Sequence, residues 1–118
     1  MAGKVKKSVD SVEKILEIVK TSLEDGKAED VIVIDLEGKS SIASYMVVAS
    51  GNSNRHVASL AENLQMKLKE NGCLSIAEGL EKADWVLVDA YDVIVHIFRP
   101  EVRDFYSLEK MWSAVKTR

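Results

Sequence analysis

The sequence from residue 84 to residue 100 reads Asp84-Trp85-Val86-Leu87-Val88-Asp89-Ala90-Tyr91-Asp92-Val93-Ile94-Val95-His96-Ile97-Phe98-Arg99-Pro100. Two runs rich in β-branched residues flank a short polar turn at residues 89–92, which predicts a β-hairpin. Side chains alternate between the two faces of a strand, so each run places apolar residues on both of its faces. In the first run Trp85 and Leu87 oppose Val86 and Val88, and in the second Val93, Val95 and Ile97 oppose Ile94, His96 and Phe98. A sheet that is apolar on both sides must be covered on both sides.

Length and composition indicate one domain. The chain has 118 residues, of which 47% are hydrophobic, and we expect residues 8–118 to form a single core behind a flexible basic tail at residues 1–7. Its 16 Lys and Arg against 19 Asp and Glu give a formal charge of -3. This balance argues against a protein that binds mainly to a phosphate backbone, so any nucleic acid contact should be local.

The single cysteine and the lack of a long apolar run indicate where the protein works. Cys73 cannot form an internal disulfide and has no neighbours at metal-ligand spacing, which predicts a buried thiol in a reducing compartment. No apolar run approaches the ~18 residues that a membrane-spanning helix needs, and the N-terminus lacks a secretory pattern. We therefore expect a cytoplasmic protein.

The rest of the chain predicts helices and strands in alternation. Apolar residues at three- and four-residue spacing indicate amphipathic helices, and continuous apolar runs indicate strands covered on both faces. In chain order the predicted elements are a helix with Val12, Ile15, Leu16, Val19 and Leu23 on its buried stripe, strands at 31–36 and 45–49, a helix with Val57, Leu60, Ala61, Leu64 and Leu68 on its stripe, a strand at 73–76, the hairpin, and one broken helix or two short helices at 101–106 and 108–115. Gly26 and Asn71-Gly72 should end the first two helices. Trp112 should be buried on the last one.

The loop at residues 50–56 allows two interpretations. Small residues at a helix N-terminus can present free N–H groups to an anion, with Arg55 and His56 assisting. However, the stretch matches neither a Walker loop nor a GxGxxG fingerprint. The presence of Asn52, Ser53 or Asn54 is also explained if one of them is an ordinary helix N-cap, and the sequence favours this interpretation.

Catalysis has little support in the sequence. A nucleotidyl-transfer site needs carboxylates that alternate on one strand and hold a metal pair, whereas Asp35, Glu37, Asp89 and Asp92 stand at strand ends and turns. His96 lies within a strand, where a histidine is usually packed and hydrogen-bonded, and no motif places a nucleophile beside it. We expect no catalytic residue, no metal and no cofactor.

Aromatic residues are concentrated late in the chain and suggest a protein interface. Aromatic rings interleaved with arginines are typical of interface hot spots, although the same rings could form the core. The set comprises Trp85, Tyr91, Phe98, Phe105 and Tyr106, with Arg99 and Arg103 between them.

Four blocks of the sequence together resemble the ribosomal silencing factor family, also called RsfS or Iojap. They are Gly38-Lys39-Ser40-Ser41-Ile42, Gly51-Asn52-Ser53-Asn54-Arg55-His56-Val57, the hairpin from Asp84 to Phe98, and Glu101-Val102-Arg103 through Tyr106-Ser107-Leu108-Glu109-Lys110-Met111-Trp112. The blocks follow the family order. One departure is Tyr91, where the family usually has glycine before the aspartate, and a non-glycine residue is disfavoured at positive φ.

This resemblance implies an α/β fold, a partner and a binding surface. The family fold is a single α/β domain with a mixed five-stranded sheet flanked by helices, similar in topology to nucleotidyltransferases but without their catalytic carboxylates. The implied partner is the large ribosomal subunit, bound through ribosomal protein L-fourteen so that the small subunit cannot join and translation falls under nutrient limitation. The contacting residues would be Trp85, Tyr91, Asp92, His96, Phe98, Pro100 and Tyr106. The alternative is a nucleotide-binding or nucleotidyl-transferring enzyme that uses the loop at 50–56, and self-association into a homodimer is left open.

Overall fold

The computed structural model describes residues 12–36 and 43–102. The helices and strands in chain order are α1 (Val12–Asp25), β1 (Glu29–Asp35), β2 (Tyr45–Ser50), α2 (Asn54–Glu70), β3 (Ile76–Glu78), β4 (Trp85–Ala90) and β5 (Val93–Phe98). The strands form one five-stranded sheet in the order β1-β2-β5-β4-β3. β2 and β5 are parallel, and the other neighbouring strands are antiparallel. The α/β class and the mixed five-stranded sheet are therefore confirmed.

Both helices pack on the same face of the sheet, and their buried residues are the predicted stripes. On α1 the buried apolar residues are Ile15, Val19 and Leu23, and on α2 they are Val57, Leu60, Ala61, Leu64 and Leu68. They form one core with sheet residues Val47, Ala49, Val86, Val88, Ala90, Val93, Val95 and Ile97. Because most of these side chains are fully buried, this face is the main hydrophobic contribution to stability.

The predicted helix ends are also confirmed. α1 ends at Asp25, and the amide of Gly26 donates to the carbonyl of Ser22 at 3.0 Å. A Cβ atom on Gly26 would lie 2.5 Å from Leu60 Cδ2, so a larger residue there would require the Leu60 side chain to shift where the end of α1 meets α2. α2 ends at Glu70 and is followed by its C-cap residue, Asn71. Lys67 and Lys69 lie in its last turn, where cations complement the helix dipole.

The prediction that the first strand is covered on both faces is wrong. Val31, Ile32 and Val33 are 39%, 38% and 38% exposed, and Ile34 is the buried residue of β1. The physical reason is the position of β1 at one edge of the sheet, where it pairs with β2 alone. The apolar run of β1 therefore reflects the tendency of β-branched residues to form strands, and not burial on both faces.

The third strand begins later than predicted, while the cysteine lies as expected. The sequence predicts a strand at 73–76, but β3 comprises Ile76–Glu78 and pairs with β4 at the opposite edge of the sheet. Cys73 precedes it with 2% exposure, and burial raises the pKa of its thiol. The prediction of a buried thiol is confirmed.

The face of the sheet opposite α1 and α2 carries a second, smaller core. Its buried residues are Ile34, Leu36, Ala43, Met46, Val48 and Phe98, and Trp85, Ile94 and Val102 pack against them in a partly exposed position. The hairpin is thus apolar on both faces, as predicted, but the second face is less completely buried than the helix-covered one.

Several predictions lie outside the described residues. These are the basic tail at 1–7, the helix at 108–115 with Trp112, and the side chains of Arg103, Phe105 and Tyr106.

Candidate functional site

The hairpin carries five of the predicted contact residues, three on its strands and two in its turn. Its ladder pairs Trp85 with Phe98, Leu87 with His96 and Ala90 with Val93, and the turn between the strands consists of Tyr91 and Asp92. The side chains that point away from the helices are Trp85, Leu87, Ile94, His96 and Phe98, which we call the aromatic face. Except for Phe98, all of them are partly exposed.

Three rings of the aromatic face are in contact. Trp85 stacks on Phe98 with 5.0 Å between centroids and 27° between planes, and His96 lies 5.9 Å from Phe98 at 20°. The indole Nε1–H of Trp85 donates to Nδ1 of His96 at 3.0 Å. A hydrogen bond and ring stacking therefore fix the orientation of Trp85, which reduces the rotamer entropy it would lose on binding a partner.

His96 is neutral in the folded protein at physiological pH. Burial lowers the pKa of its imidazole from 6.5 to about 4, because Leu87 and fully buried Val48 lie beside it in the sheet and reduce its hydration. The sequence-based expectation of a packed, hydrogen-bonded histidine is confirmed.

This pKa difference predicts a loss of stability in mild acid. Between pH 6.5 and about 4 the unfolded chain binds a proton at His96 that the folded chain does not. The free energy of unfolding should therefore fall by up to about 3 kcal/mol as pH drops from neutral to the folded pKa. Urea denaturation across this range should show a steeper pH dependence for the wild type than for His96→Asn, which cannot titrate. Parallel curves for the two proteins would contradict the assignment.

Tyr91 occupies the hairpin tip with its backbone in the left-handed region. Its φ is 68°, a conformation that favours glycine, and its side chain is 64% exposed. The carboxylate of Asp89 accepts from the Tyr91 amide at 2.9 Å and supports the turn. The ring is exposed, as expected at a tip where it has little to pack against.

The backbone of the tip is tied to the neighbouring strand. The carbonyl of Asp92 accepts from the amides of Ser44 and Tyr45 at 2.8 and 3.1 Å. The Asp92 side chain remains exposed. The position of the tip is therefore set by main-chain hydrogen bonds.

Phe98 could be an interface ring or a core ring on sequence grounds, and the structure places it in the core, so it is not exposed as a contact residue in the free protein. Phe98 is 0% exposed and belongs to the second core. Its ring faces the same side as His96, stacks against the ring of Trp85, and lies opposite Ser50 of the neighbouring strand β2. Its role in the free protein is to support Trp85. Pro100 is exposed just after β5, and Tyr106 lies outside the described residues.

A polar cluster at the base of the hairpin was not predicted. The carboxylate of Asp84 lies 3.2 Å from Arg99 Nε and accepts from Asn54 Nδ2 at 2.7 Å, and Asn54 Nδ2 also lies 2.9 Å from the carbonyl of Lys82. Arg99 further contacts Glu101 at 3.3 Å. These contacts join the start of α2 to the hairpin across 28 to 30 residues of sequence, so no local pattern could have revealed them.

The loop at 50–56 is an ordinary helix N-terminus. Ser53 is the N-cap and accepts from the amide of His56 at 3.0 Å. The Asn52 amide donates to His56 Nδ1 at 2.9 Å, and His56 Nε2 lies 2.8 Å from the carbonyl of Gly26. The Gly51 amide donates to the carbonyl of Phe98 at 2.9 Å. Since these amides already have acceptors, the capping interpretation is confirmed and the loop offers few free donors to an anion.

Neither a metal cluster nor a membrane span is found in the part of the chain that the structure describes. Among residues 12–36 and 43–102, no three His, Cys, Asp or Glu side chains are grouped so that they could hold a metal ion. Within the same ranges, no helix has the length and apolar character needed to cross a membrane.

Comparison with known proteins gives a consistent set of relatives. A family model described as "Ribosomal silencing factor during starvation" (RsfS) matches residues 9–118. A Zymomonas mobilis protein named ribosomal silencing factor RsfS is 54% identical over 101 residues, covering 85% of this chain and 76% of the relative. The Bacillus subtilis protein of the same name is 40% identical over 99 residues, covering 83% and 84%. The crystal structure of a Chromobacterium violaceum protein matches with a TM-score of 0.85 and 43% identity, covering 87% of both chains.

Proposed function

Since this chain belongs to the RsfS family of ribosomal silencing factors, we propose that it binds the large ribosomal subunit through ribosomal protein L-fourteen. Bound there, it sterically blocks joining of the small subunit and represses translation under nutrient limitation, in the cytoplasm. The observation that supports this most directly is the hairpin. It presents an exposed tyrosine at its tip and a partly exposed tryptophan held by His96.

Such a blocker needs affinity and volume but no chemistry. Aromatic anchors at the centre of an interface can each contribute ~2 kcal/mol or more on truncation. Trp85 and Tyr91 are suited to this role, because both rings have accessible surface and a backbone or side chain held by hydrogen bonds. The rigid five-stranded sheet behind them supplies the bulk that excludes the small subunit.

The charges around the hairpin favour a protein partner over ribosomal RNA. Asp89 and Asp92 lie at the tip, and at the base Arg99 is paired with Asp84 and Glu101. With a net charge of -3, this surface would be repelled by phosphate groups, and salt should weaken binding less steeply than for a basic RNA binder.

Sedimentation and subunit joining test the proposal together. We expect the protein to co-sediment with isolated large subunits and, at saturating occupancy, to prevent their association with small subunits. Light scattering or a sucrose gradient measures the joining step. The control is Trp85→Ala, once shown to be folded like the wild type, because loss of this anchor should weaken binding and so restore joining. Full joining with every large subunit occupied would contradict the steric mechanism.

We further propose that the protein is not a nucleotidyltransferase. The amides at the start of α2 are used in capping. Asp35 lies on β1 and Asp89 on β4, and strands β2 and β5 separate the two. A metal-dependent assay with labelled nucleotide should show no incorporation. Incorporation that disappears in Asp89→Ala would restore the enzymatic alternative.

A further inference from the structure

The hydrogen bond between Trp85 and His96 determines the tautomer of the histidine. An indole N–H can only donate, so Nδ1 of His96, 3.0 Å from Trp85 Nε1, must be the acceptor and carry no proton. In a neutral imidazole the proton then resides on Nε2. This assignment follows from the chemistry of indole and does not require that hydrogen positions be observed.

The Nε2–H group has no acceptor among the described residues. The hydrogen bond of the His96 ring within residues 12–36 and 43–102 uses Nδ1, not Nε2. Nε2 is also not among the fully buried polar atoms without a hydrogen bond in these ranges. The ring itself is partly exposed, between Leu87 and Val48 on the aromatic face. Nε2–H is therefore a donor without an acceptor in the described part of the chain, on a partly exposed ring among apolar side chains, where an unmatched donor would be costly in a dry interface.

We propose that His96 is a two-sided element of the docking surface: Nδ1 positions the Trp85 ring, and Nε2–H donates to an uncharged oxygen of the partner protein, a main-chain carbonyl or a side-chain amide or hydroxyl. The identity of the partner rests on the proposed function. The tautomer is a property of the free protein and does not depend on it.

The charge near His96 selects an uncharged acceptor over a carboxylate. Asp89 lies two residues after Leu87, on the same face of β4, and Leu87 pairs directly with His96. Diagonal neighbours on one face of a sheet lie within roughly 7–8 Å of each other. A partner carboxylate at Nε2 would thus approach the Asp89 carboxylate in a partly desolvated site, where like charges are unfavourable.

The tautomer is tested in the free full-length protein by ¹⁵N NMR of the histidine rings. We expect His96 to show a protonated Nε2 and an unprotonated Nδ1 at neutral pH, and the Trp85 indole N–H to be protected from exchange. In Trp85→Phe, which keeps a ring but lacks the N–H, the His96 signals should move toward a mixture of tautomers. A proton on Nδ1 in the wild type, or His96 signals unchanged by Trp85→Phe, would overturn the assignment.

Two substitutions separate the functions of the two nitrogens. The side-chain oxygen of His96→Asn occupies the place of Nδ1, so it accepts from Trp85 but offers no outward donor. The amide nitrogen of His96→Gln reaches the place of Nε2, so it restores an outward donor and leaves Trp85 without its acceptor. We expect His96→Asn to bind isolated L-fourteen roughly three- to tenfold more weakly than the wild type, as for one lost hydrogen bond, and His96→Gln to bind more tightly than His96→Asn.

Each binding outcome decides the proposal. Wild-type affinity in His96→Asn would show that Nε2–H meets no acceptor, and weaker binding by His96→Gln than by His96→Asn would show that the positioning of Trp85 matters and the outward donor does not. Either result overturns the donor role. If the wild type does not bind L-fourteen at all, the proposed function is wrong and the donor role fails with it, while the NMR measurement still decides whether Trp85 and His96 are locked together.

Discussion

Replacing Phe98 with alanine is expected to lower the free energy of unfolding by about 3–5 kcal/mol, the usual cost of removing a fully buried phenylalanine. Phe98 has no exposed surface, and its ring supports both Trp85 and His96. Such a loss should lower the melting temperature by more than about 10 °C in a domain of this size. A thermal melt and a urea titration measure the change.

Leu74→Ala is the matched control for Phe98→Ala. Leu74 is also a large apolar residue but is 65% exposed, so its truncation should change stability by no more than about 0.5 kcal/mol. Any loss of ribosome binding in Phe98→Ala would then follow from loss of folding or of Trp85 support. A Phe98→Ala protein that melts like the wild type would mean that the second core does not hold the sheet together.

Replacing Tyr91 with glycine should weaken binding to the large subunit by roughly 30-fold or more, the effect of losing a hot-spot ring. Its effect on stability should have the opposite sign. Since Tyr91 has a φ of 68° and a mostly exposed ring, glycine should relieve backbone strain and raise the free energy of unfolding by about 1 kcal/mol. Binding to isolated L-fourteen and a thermal melt measure the two effects separately.

Tyr91→Ala distinguishes the ring from the turn. Alanine lacks the ring but keeps the strained conformation, so it should bind as weakly as the glycine variant without the gain in stability. If Tyr91→Ala and Tyr91→Gly both retain wild-type affinity, the hairpin tip is not part of the contact surface. In that case the proposed surface would shrink to the region around Trp85 and His96.

The parts of the fold that the sequence predicted are those governed by local pattern. The stripe on α2 from Val57 to Leu68 and the alternation along the hairpin appear in the structure as predicted, because periodicity and turn chemistry act within a few residues. The hairpin turn was predicted at residues 89–92 for the same reason, and the structure places it at 91–92. The family resemblance supplied the mixed five-stranded sheet, which no single segment specifies, but not the order of its strands.

The parts that the sequence did not predict depend on where each element lies in the sheet. An apolar run such as Val31-Ile32-Val33 has the same composition at an edge as at the centre, and only the strand order shows that it is an edge. Likewise, Phe98 and Trp85 are both aromatic hairpin residues, yet one is buried beneath the other. The bridge from Asn54 to Asp84 joins residues that are distant in sequence.

The carbonyl of Asp92 accepts hydrogen bonds from the amides of Ser44 and Tyr45. These bonds fix where the hairpin tip lies, whereas the side chains at the tip determine what it can bind. Main-chain groups are the same in every amino acid except proline, so these bonds constrain the path of the backbone and leave the side chains at 91 and 92 free to change. Mutation at these two positions can alter what the tip recognises while the tip stays where it is. A lineage could thereby follow sequence drift in its partner without rebuilding the domain, and a laboratory library restricted to these positions would sample new specificities on an unchanged scaffold.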